Sequence, residues 1–208
     1  LKKVLFITGT RADYSKIKPL VDALLPLSNF TPSLCITGMH MLADFGLTHK
    51  EIEPTGPGDY RFINFNVGDQ DYSRVAKSIQ GLGDYLRENP QDLVVVHGDR
   101  LEALAAAIVG VASNTLVAHI EGGEISGTLD ESIRHAITKL AHLHFVSNDT
   151  AAQRLRSLGE NPDSIFVIGS PELDLMHSQD LPSLDAVKLR YEIPFDDYGI
   201  AIFHPVTT

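Results

Sequence analysis

Short apolar runs rich in β-branched residues alternate along this chain with stretches of helical periodicity. VLFITG (Val4–Gly9), LCITG (Leu34–Gly38), LVVVHG (Leu93–Gly98) and LVAHI (Leu116–Ile120) read as strands, as do His144–Ser147, Ile165–Ile168 and IAIF (Ile200–Phe203). Between them lie predicted helices. Tyr14–Leu25 is one, provided that Pro19 falls in its first turn, where amide hydrogens lack partners anyway. Asp71–Arg87 places Val75, Ile79, Leu82 and Leu86 at spacings of four, three and four, which is one apolar helical face. Leu101–Ala112 is apolar nearly all round, as a helix wedged between a sheet and another layer should be. Glu131–His142, Asp149–Leu158 and Asp185–Tyr191 complete the series, the second opened by Asn148 or Asp149 and closed by Gly159. Strands alternating with helices predict βαβ units and a mostly parallel, doubly wound α/β sheet of Rossmann-like type.

The charged and proton-handling residues gather at one kind of place. Arg11 follows the first apolar run, His40 the second, Asp99 and Arg100 follow LVVVHG, Glu121 follows LVAHI, and His204 follows IAIF. In an open parallel sheet, ligands bind in the crevice outside the carboxyl ends of the strands. A charged site at that crevice is the expectation.

Pro54–Tyr60 reads as a surface loop by its Pro and Gly content, and Ser178–Ser183 as a connection. We expect residues 1–182 to form an N-terminal Rossmann-like domain, and residues 183–208 to be a crossing segment and the start of a truncated second domain. A strand at Ile200 with a charged turn after it is an unusual finish, which reads as the front part of a longer protein.

With 208 residues, 43% of them hydrophobic, the chain can bury a full core. Its 17 Lys and Arg against 27 Asp and Glu give a net charge of −10, which repels phosphate polymers and anionic membranes. Nucleic acid is not expected as a partner, and any anionic ligand needs local cations such as Arg11, Lys16, Lys18 and Arg100. The single Cys35 cannot form an internal disulfide and reads as apolar filler. No run approaches the roughly 18 apolar residues of a membrane helix, and the start is too short in apolar residues for a signal peptide. A cytoplasmic protein without a membrane partner is expected.

Nucleotide signatures are missing: no G-x-G-x-x-G follows a strand and no GxxxxGK[ST] occurs. His142 and His144 would point to one face of a strand, and His119 and Glu121 likewise, but no third and fourth ligand stands at a recognised spacing for a metal. No cofactor and no metal are called for. What remains suits proton abstraction and return, with cations holding an anionic leaving group. Structural readings compete at each residue. Asp99 can cap the helix at Leu101, Arg100 can pair on the surface, and His97 and His119 fit satisfied core histidines. Thr128 and Glu131 have capping-box spacing, which places Asp130 in a helix's first turn, where negative charge is favoured. The glycines of HIEGGE permit close backbone approach to a ligand, or a tight turn.

GTRADYSKIKP (Gly9–Pro19), VVHGDRLEALA (Val95–Ala105), HIEGGEISGTLDESIRHAITKLAH (His119–His142) and HPVTT (His204–Thr208) resemble the hydrolysing UDP-N-acetylglucosamine 2-epimerases of sialic acid biosynthesis. The central motif distinguishes this branch from the non-hydrolysing 2-epimerases, whose HIEGG equivalent reads closer to HVEAG. The resemblance implies two Rossmann-like domains arranged as in B-type glycosyltransferases, with a UDP-sugar between them, and a homo-oligomer, dimer or tetramer. It implies conversion of UDP-N-acetylglucosamine and water to N-acetylmannosamine and UDP through a glycal. It further implies Asp99, Glu121 and Asp130 as catalytic carboxylates with His204 in the same site, Arg11, Ser15, Lys16 and Arg100 near the nucleotide and phosphates, and His40 facing the sugar. Related enzymes act on UDP-diacetamido-trideoxyhexoses, and a B-type glycosyltransferase or a non-catalytic nucleotide-sugar module would share the architecture. The isolated chain is expected to lack activity.

Overall fold

The computed structural model describes residues 1–56, 58–177 and 181–203. Seven strands, β1 (Lys2–Thr8), β2 (Phe30–Ile36), β3 (Tyr60–Arg61), β4 (Leu93–His97), β5 (Leu116–Ile120), β6 (Leu143–Val146) and β7 (Ile165–Val167), form one sheet in the order β3-β2-β1-β4-β5-β6-β7. Every pairing is parallel. The helices are α1 (Arg11–Leu24), α2 (Asp71–Glu88), α3 (Leu101–Ala112), α4 (Leu129–Leu140), α5 (Asp149–Ser157), α6 (Glu172–Met176) and α7 (Leu184–Arg190). This is the doubly wound α/β fold that the alternation of runs predicts.

Right-handed crossovers decide which face each helix covers. The steps from β1 to β2 and from β2 to β3 run one way along the sheet and the later steps run the other way, so α1 lies on one face and α2, α3 and α4 on the other. The cores follow. Leu5, Ile7, Val94, Val96 and Val117 pack under α2, α3 and α4, while Val4, Phe6, Val95, Ala118 and Ile120 pack towards α1. Beyond α1 and the short α6, that second face keeps an open apolar groove of about 400 Å³, floored by Val95, Ile120 and Phe145. None of the predicted site residues lines it.

Local chemistry fixes α1 three residues earlier than its periodicity suggests. Thr10 accepts from the Asp13 backbone, and the Asp13 carboxylate accepts from the Thr10 backbone, a reciprocal capping box. Pro19 therefore lies in the interior of α1 instead of its first turn. The box predicted at Thr128 and Glu131 does not form: Thr128 makes no capping bond, and Glu131 instead accepts from the Ser126 and Gly127 amides at 3.0 and 2.8 Å. Asn148 does cap α5, and Gly159, with φ of 87°, follows it. The strand expected at Ile200–Phe203 is absent. A strand needs a neighbour to take its hydrogen bonds, and these residues meet none among those described, with Phe203 92% exposed. No helix among the described residues is long and apolar enough to cross a membrane.

Candidate functional site

The strand order reverses direction between β1 and β4, and the loops leaving those two strands open a crevice at the carboxyl edge. Arg11 opens α1 directly after β1, and Arg100 stands at the N-cap of α3 after β4. Both are exposed, and together with Thr10, Met39, Phe45 and Thr48 they border a cavity of about 220 Å³. Arg11 pairs with Glu51 at 2.8 Å, an exposed contact of small energetic weight that leaves the guanidinium free to turn to a ligand.

The β1 loop is closed by the protein itself. Asp13, buried, accepts from the amides of Gly9 and Thr10, both at 2.9 Å, and from the Thr8 hydroxyl at 2.7 Å. Its carboxylate fills the cradle that a phosphate occupies in a glycine-rich nucleotide loop. Those two amides are therefore taken, and the cations at this edge are side chains. The Thr8 hydroxyl has one hydrogen, given to Asp13, so His40 donates Nε2–H to Thr8 at 3.0 Å and its Nδ1 accepts from Thr48 at 2.6 Å. His40, expected to face a sugar, is 1% exposed with both ring nitrogens engaged. Burial pushes its pKa down, against the opposing charge of Asp13. Ser15 returns its hydroxyl to the Ala12 carbonyl at 3.0 Å, half-buried on α1.

One turn further along α1, Lys16 reaches across to the end of β5. Its Nζ lies 2.7 Å from Glu121 Oε2 and 3.8 Å from Glu172. Glu121 also accepts from His97 Nε2 at 3.0 Å and from the Ser170 hydroxyl at 3.0 Å. Burial pushes the Glu121 carboxyl up, but the hydrogen bonds from His97 and Lys16 outweigh it and hold the pKa at about 2. Strand alternation predicts that His119 and Glu121 share a face. They do not: Glu121 has φ of 58°, which breaks the alternation and sends its side chain to the α1 layer. His119 faces the other layer, fully buried, donating Nε2–H to the Gly98 carbonyl at 2.8 Å and accepting from Thr138 at Nδ1, 3.1 Å away. Burial drives its pKa down to about 3. It is a neutral structural histidine.

Asp99 does not cap α3. Its carboxylate is gripped by Arg134 of α4, which also donates Nη1–H to the Glu124 carbonyl at 3.0 Å. Asp130 lies in the first turn of α4, one turn before Arg134, and is exposed. His204 falls outside the described residues. The structure thus brings Glu121, Lys16 and His97 into one cluster, sets Asp99 on the adjacent strand end, and leaves Asp130 to solvent. Among the described residues no three His, Cys, Asp or Glu side chains come together as a metal site.

Four participants escape sequence reasoning. His97 stands two residues before Asp99, a strand spacing readable as one shared face. Arg134 stands four residues after Asp130, one helical turn. Ser170 follows the end of β7 as the other site residues follow their strands. Asp13 completes T-x-x-D at Thr10, a capping-box spacing in which Asp stands where Glu or Gln is usual.

Comparison with known proteins matches residues 23–208 to the UDP-N-acetylglucosamine 2-epimerase family. A curated UDP-N-acetylglucosamine 2-epimerase of Neisseria meningitidis serogroup B is 47% identical over the whole of this chain and 55% of its own length. A UDP-N,N'-diacetylbacillosamine 2-epimerase (hydrolyzing) of Legionella pneumophila is 36% identical over 99% of the chain and 56% of its own length. The chain thus spans about half the length of the curated relatives it matches. The crystal structure of the Neisseria meningitidis UDP-GlcNAc 2-epimerase bound to UDP-GlcNAc superposes with a TM-score of 0.79 at 28% identity, covering 93% of this chain and 53% of that one.

Proposed function

We propose, since this chain belongs to the UDP-N-acetylglucosamine 2-epimerase family, that it forms one wall of a site where UDP-N-acetylglucosamine and water become N-acetylmannosamine and UDP. Residues 1–182 are the N-terminal domain in this reading, and residues 183–208 lead into a second domain that closes the cleft. The observation that carries the proposal is the placement of two carboxylates, Asp99 and Glu121, at neighbouring strand ends with separate cationic partners, beside the Arg11 and Arg100 crevice. An elimination and a re-addition on opposite faces of one carbon require two separately placed proton-handling groups. The Legionella relative, a diacetylbacillosamine 2-epimerase, keeps a UDP-diacetamido sugar as the alternative substrate.

In the proposed reaction a carboxylate takes the proton on sugar C2 as the C1–O bond breaks and UDP leaves with the bonding pair. Water then adds to the glycal at C1, and a proton is returned to the opposite face of C2. Arg11 and Arg100 neutralise the departing diphosphate. Glu121 enters ionised, held by Lys16 and His97. A diphosphate that drew Lys16 towards itself would release part of that hold and raise the carboxyl towards the range where a group both takes and returns protons. Asp130, exposed at the N-terminal turn of α4, is the third candidate, and His204 belongs to the same proposed set.

The test is proton NMR in deuterated water on the enzyme extended to the length of its relatives. Deuterium at C2 of free N-acetylmannosamine is expected, and an unlabelled product or an unchanged C2 configuration overturns the reaction. Asp99→Asn and Glu121→Gln should each lower turnover at least about a hundredfold, the scale of lost acid or base catalysis. Near-wild-type turnover removes that residue from the mechanism. The isolated chain, with one wall of the cleft, should bind UDP weakly and release none from the substrate.

A further inference from the structure

We infer that Arg134 is a positioning residue that aims Asp99, an inference that rests on the reading of Asp99 as catalytic. Asp99 follows β4 in the loop at the carboxyl edge, where the backbone alone leaves its side chain free to turn. It does not cap α3, and among the described residues its carboxylate meets one hydrogen-bonding partner, the Arg134 guanidinium. Glu121, by contrast, is fixed by Lys16, His97 and Ser170 together. The aim of Asp99 therefore depends on a single side chain.

That side chain is itself well held. Arg134 is 11% exposed, and its second nitrogen donates to the Glu124 carbonyl. The planar guanidinium thus spans from the loop after β4 to the loop after β5, a geometry of fixed donors that a lysine cannot reproduce. A purely structural role, pinning the loop after β5, is poorly suited to the same geometry. That loop has other anchors: Arg154 donates to the Gly123 carbonyl, and Asn148 donates to the Glu124 carboxylate at 3.0 Å. Loss of Arg134 leaves both in place: the Glu124 carbonyl loses one donor in a loop still anchored, whereas Asp99 loses its one side-chain partner among the described residues. Arg134 also sits one turn from Asp130 on α4, so the same helix that carries the exposed carboxylate sets the direction of the partly buried one.

The decisive experiment is a double-mutant cycle in the enzyme extended to the length of its relatives. Arg134→Gln and Arg134→Lys are each made alone and in the Asp99→Asn background, with kcat and KM for UDP-N-acetylglucosamine, UDP affinity and thermal midpoint read for each. Arg134→Gln is expected to lower kcat about thirtyfold to a hundredfold, the scale of a misplaced catalytic group, with KM and UDP affinity little changed and no further loss in the Asp99→Asn background. Arg134→Lys should retain more activity than the glutamine variant, since one ammonium still reaches one Asp99 oxygen. Full additivity of the two losses overturns the inference, as does a loss confined to KM and UDP affinity, which would make Arg134 a phosphate contact. If Arg134→Gln has no cooperative melt, the Arg134→Lys cycle carries the same decision. If Asp99→Asn alone leaves turnover intact, the reading of Asp99 fails and this inference with it, whereas a damaging Asp99→Asn with an additive Arg134 effect sinks this inference only.

Discussion

Replacing Glu121 by glutamine should destabilise the protein by an amount that depends on pH, and the dependence tests how the cluster works. The carboxylate side chain is 15% exposed, so its interactions with Lys16 and His97 are only weakly screened. Its pKa is about 2 in the folded chain, against the ordinary 4.5. Since each factor of ten in proton affinity is worth 1.36 kcal/mol, that difference contributes about 3 kcal/mol at neutral pH. The folded value is the lower one, so the contribution is whole above about pH 5 and is lost as pH falls through about 2. At about pH 3 only about 1.4 kcal/mol of it remains. Glutamine keeps the size and one acceptor but carries no charge to be held. Urea unfolding of the wild type and Glu121→Gln across this range should therefore show a gap of about 3 kcal/mol at pH 7 that shrinks to less than half by about pH 3. Carboxylates away from Lys16 and His97 titrate alike in both proteins and cancel in the difference, and Glu172→Gln in both backgrounds removes the share of Glu172, 3.8 Å from Lys16. A gap that is constant with pH, or that widens in acid, would mean that Lys16 and His97 do not hold the carboxylate, and the proposed proton chemistry would lose its electrostatic basis.

Two further outcomes probe the scaffold beneath the site. His119 should keep the carbon signals of a neutral, Nε2-protonated ring in two-dimensional NMR from pH 7 down to about pH 4, because its pKa is driven down to about 3; a midpoint near the usual histidine value would place it in solvent. Gly38→Ala should cost at least about 2 kcal/mol in urea unfolding, since Gly38 has φ of 62° and a Cβ there would lie 2.7 Å from the Gly9 carbonyl oxygen; unchanged stability would show that the β1 and β2 loops are not in contact.

Much of the sheet was legible because continuous apolar runs between helical periodicities leave few alternatives for Val4–Gly9, Leu93–Gly98 or Leu116–Ile120. Other elements were hidden for identifiable reasons. β3 is two residues long, Tyr60 and Arg61, and takes its place by pairing with Cys35 and Ile36, not by any pattern of its own. The three 3-10 turns between β2 and β3 have no hydrophobic period to announce them. Ile200–Phe203 shows the opposite failure, a run of strand composition without a neighbour to pair with. At the site, sequence located residues by their distance past a strand end, which placed Arg11, Asp99, Arg100 and Glu121 at the carboxyl edge. It could not say which of them touch. Lys16 and Glu121 are 105 positions apart and meet only because β1 and β5 lie on either side of β4 in one sheet.

The broken alternation at Glu121 joins these observations. The chain turns left-handed soon after three of the strands that border the crevice: at Gly38 after β2, at Gly98 after β4 and at Glu121 after β5. At the first two, glycine takes the conformation without steric cost. At the third, a residue with a Cβ stands there at an expense of about 1 kcal/mol or more. A glycine would relieve the strain, but it would have no carboxylate for Lys16, His97 and Ser170. The interactions that lower the Glu121 pKa are worth more than the strain, so the conformation persists, and it is this conformation that turns the side chain from the His119 layer towards α1. A period-two reading of HIE points the carboxylate into a buried structural layer. The left-handed residue points it at α1 instead, where Lys16 in the second turn meets it at 2.7 Å.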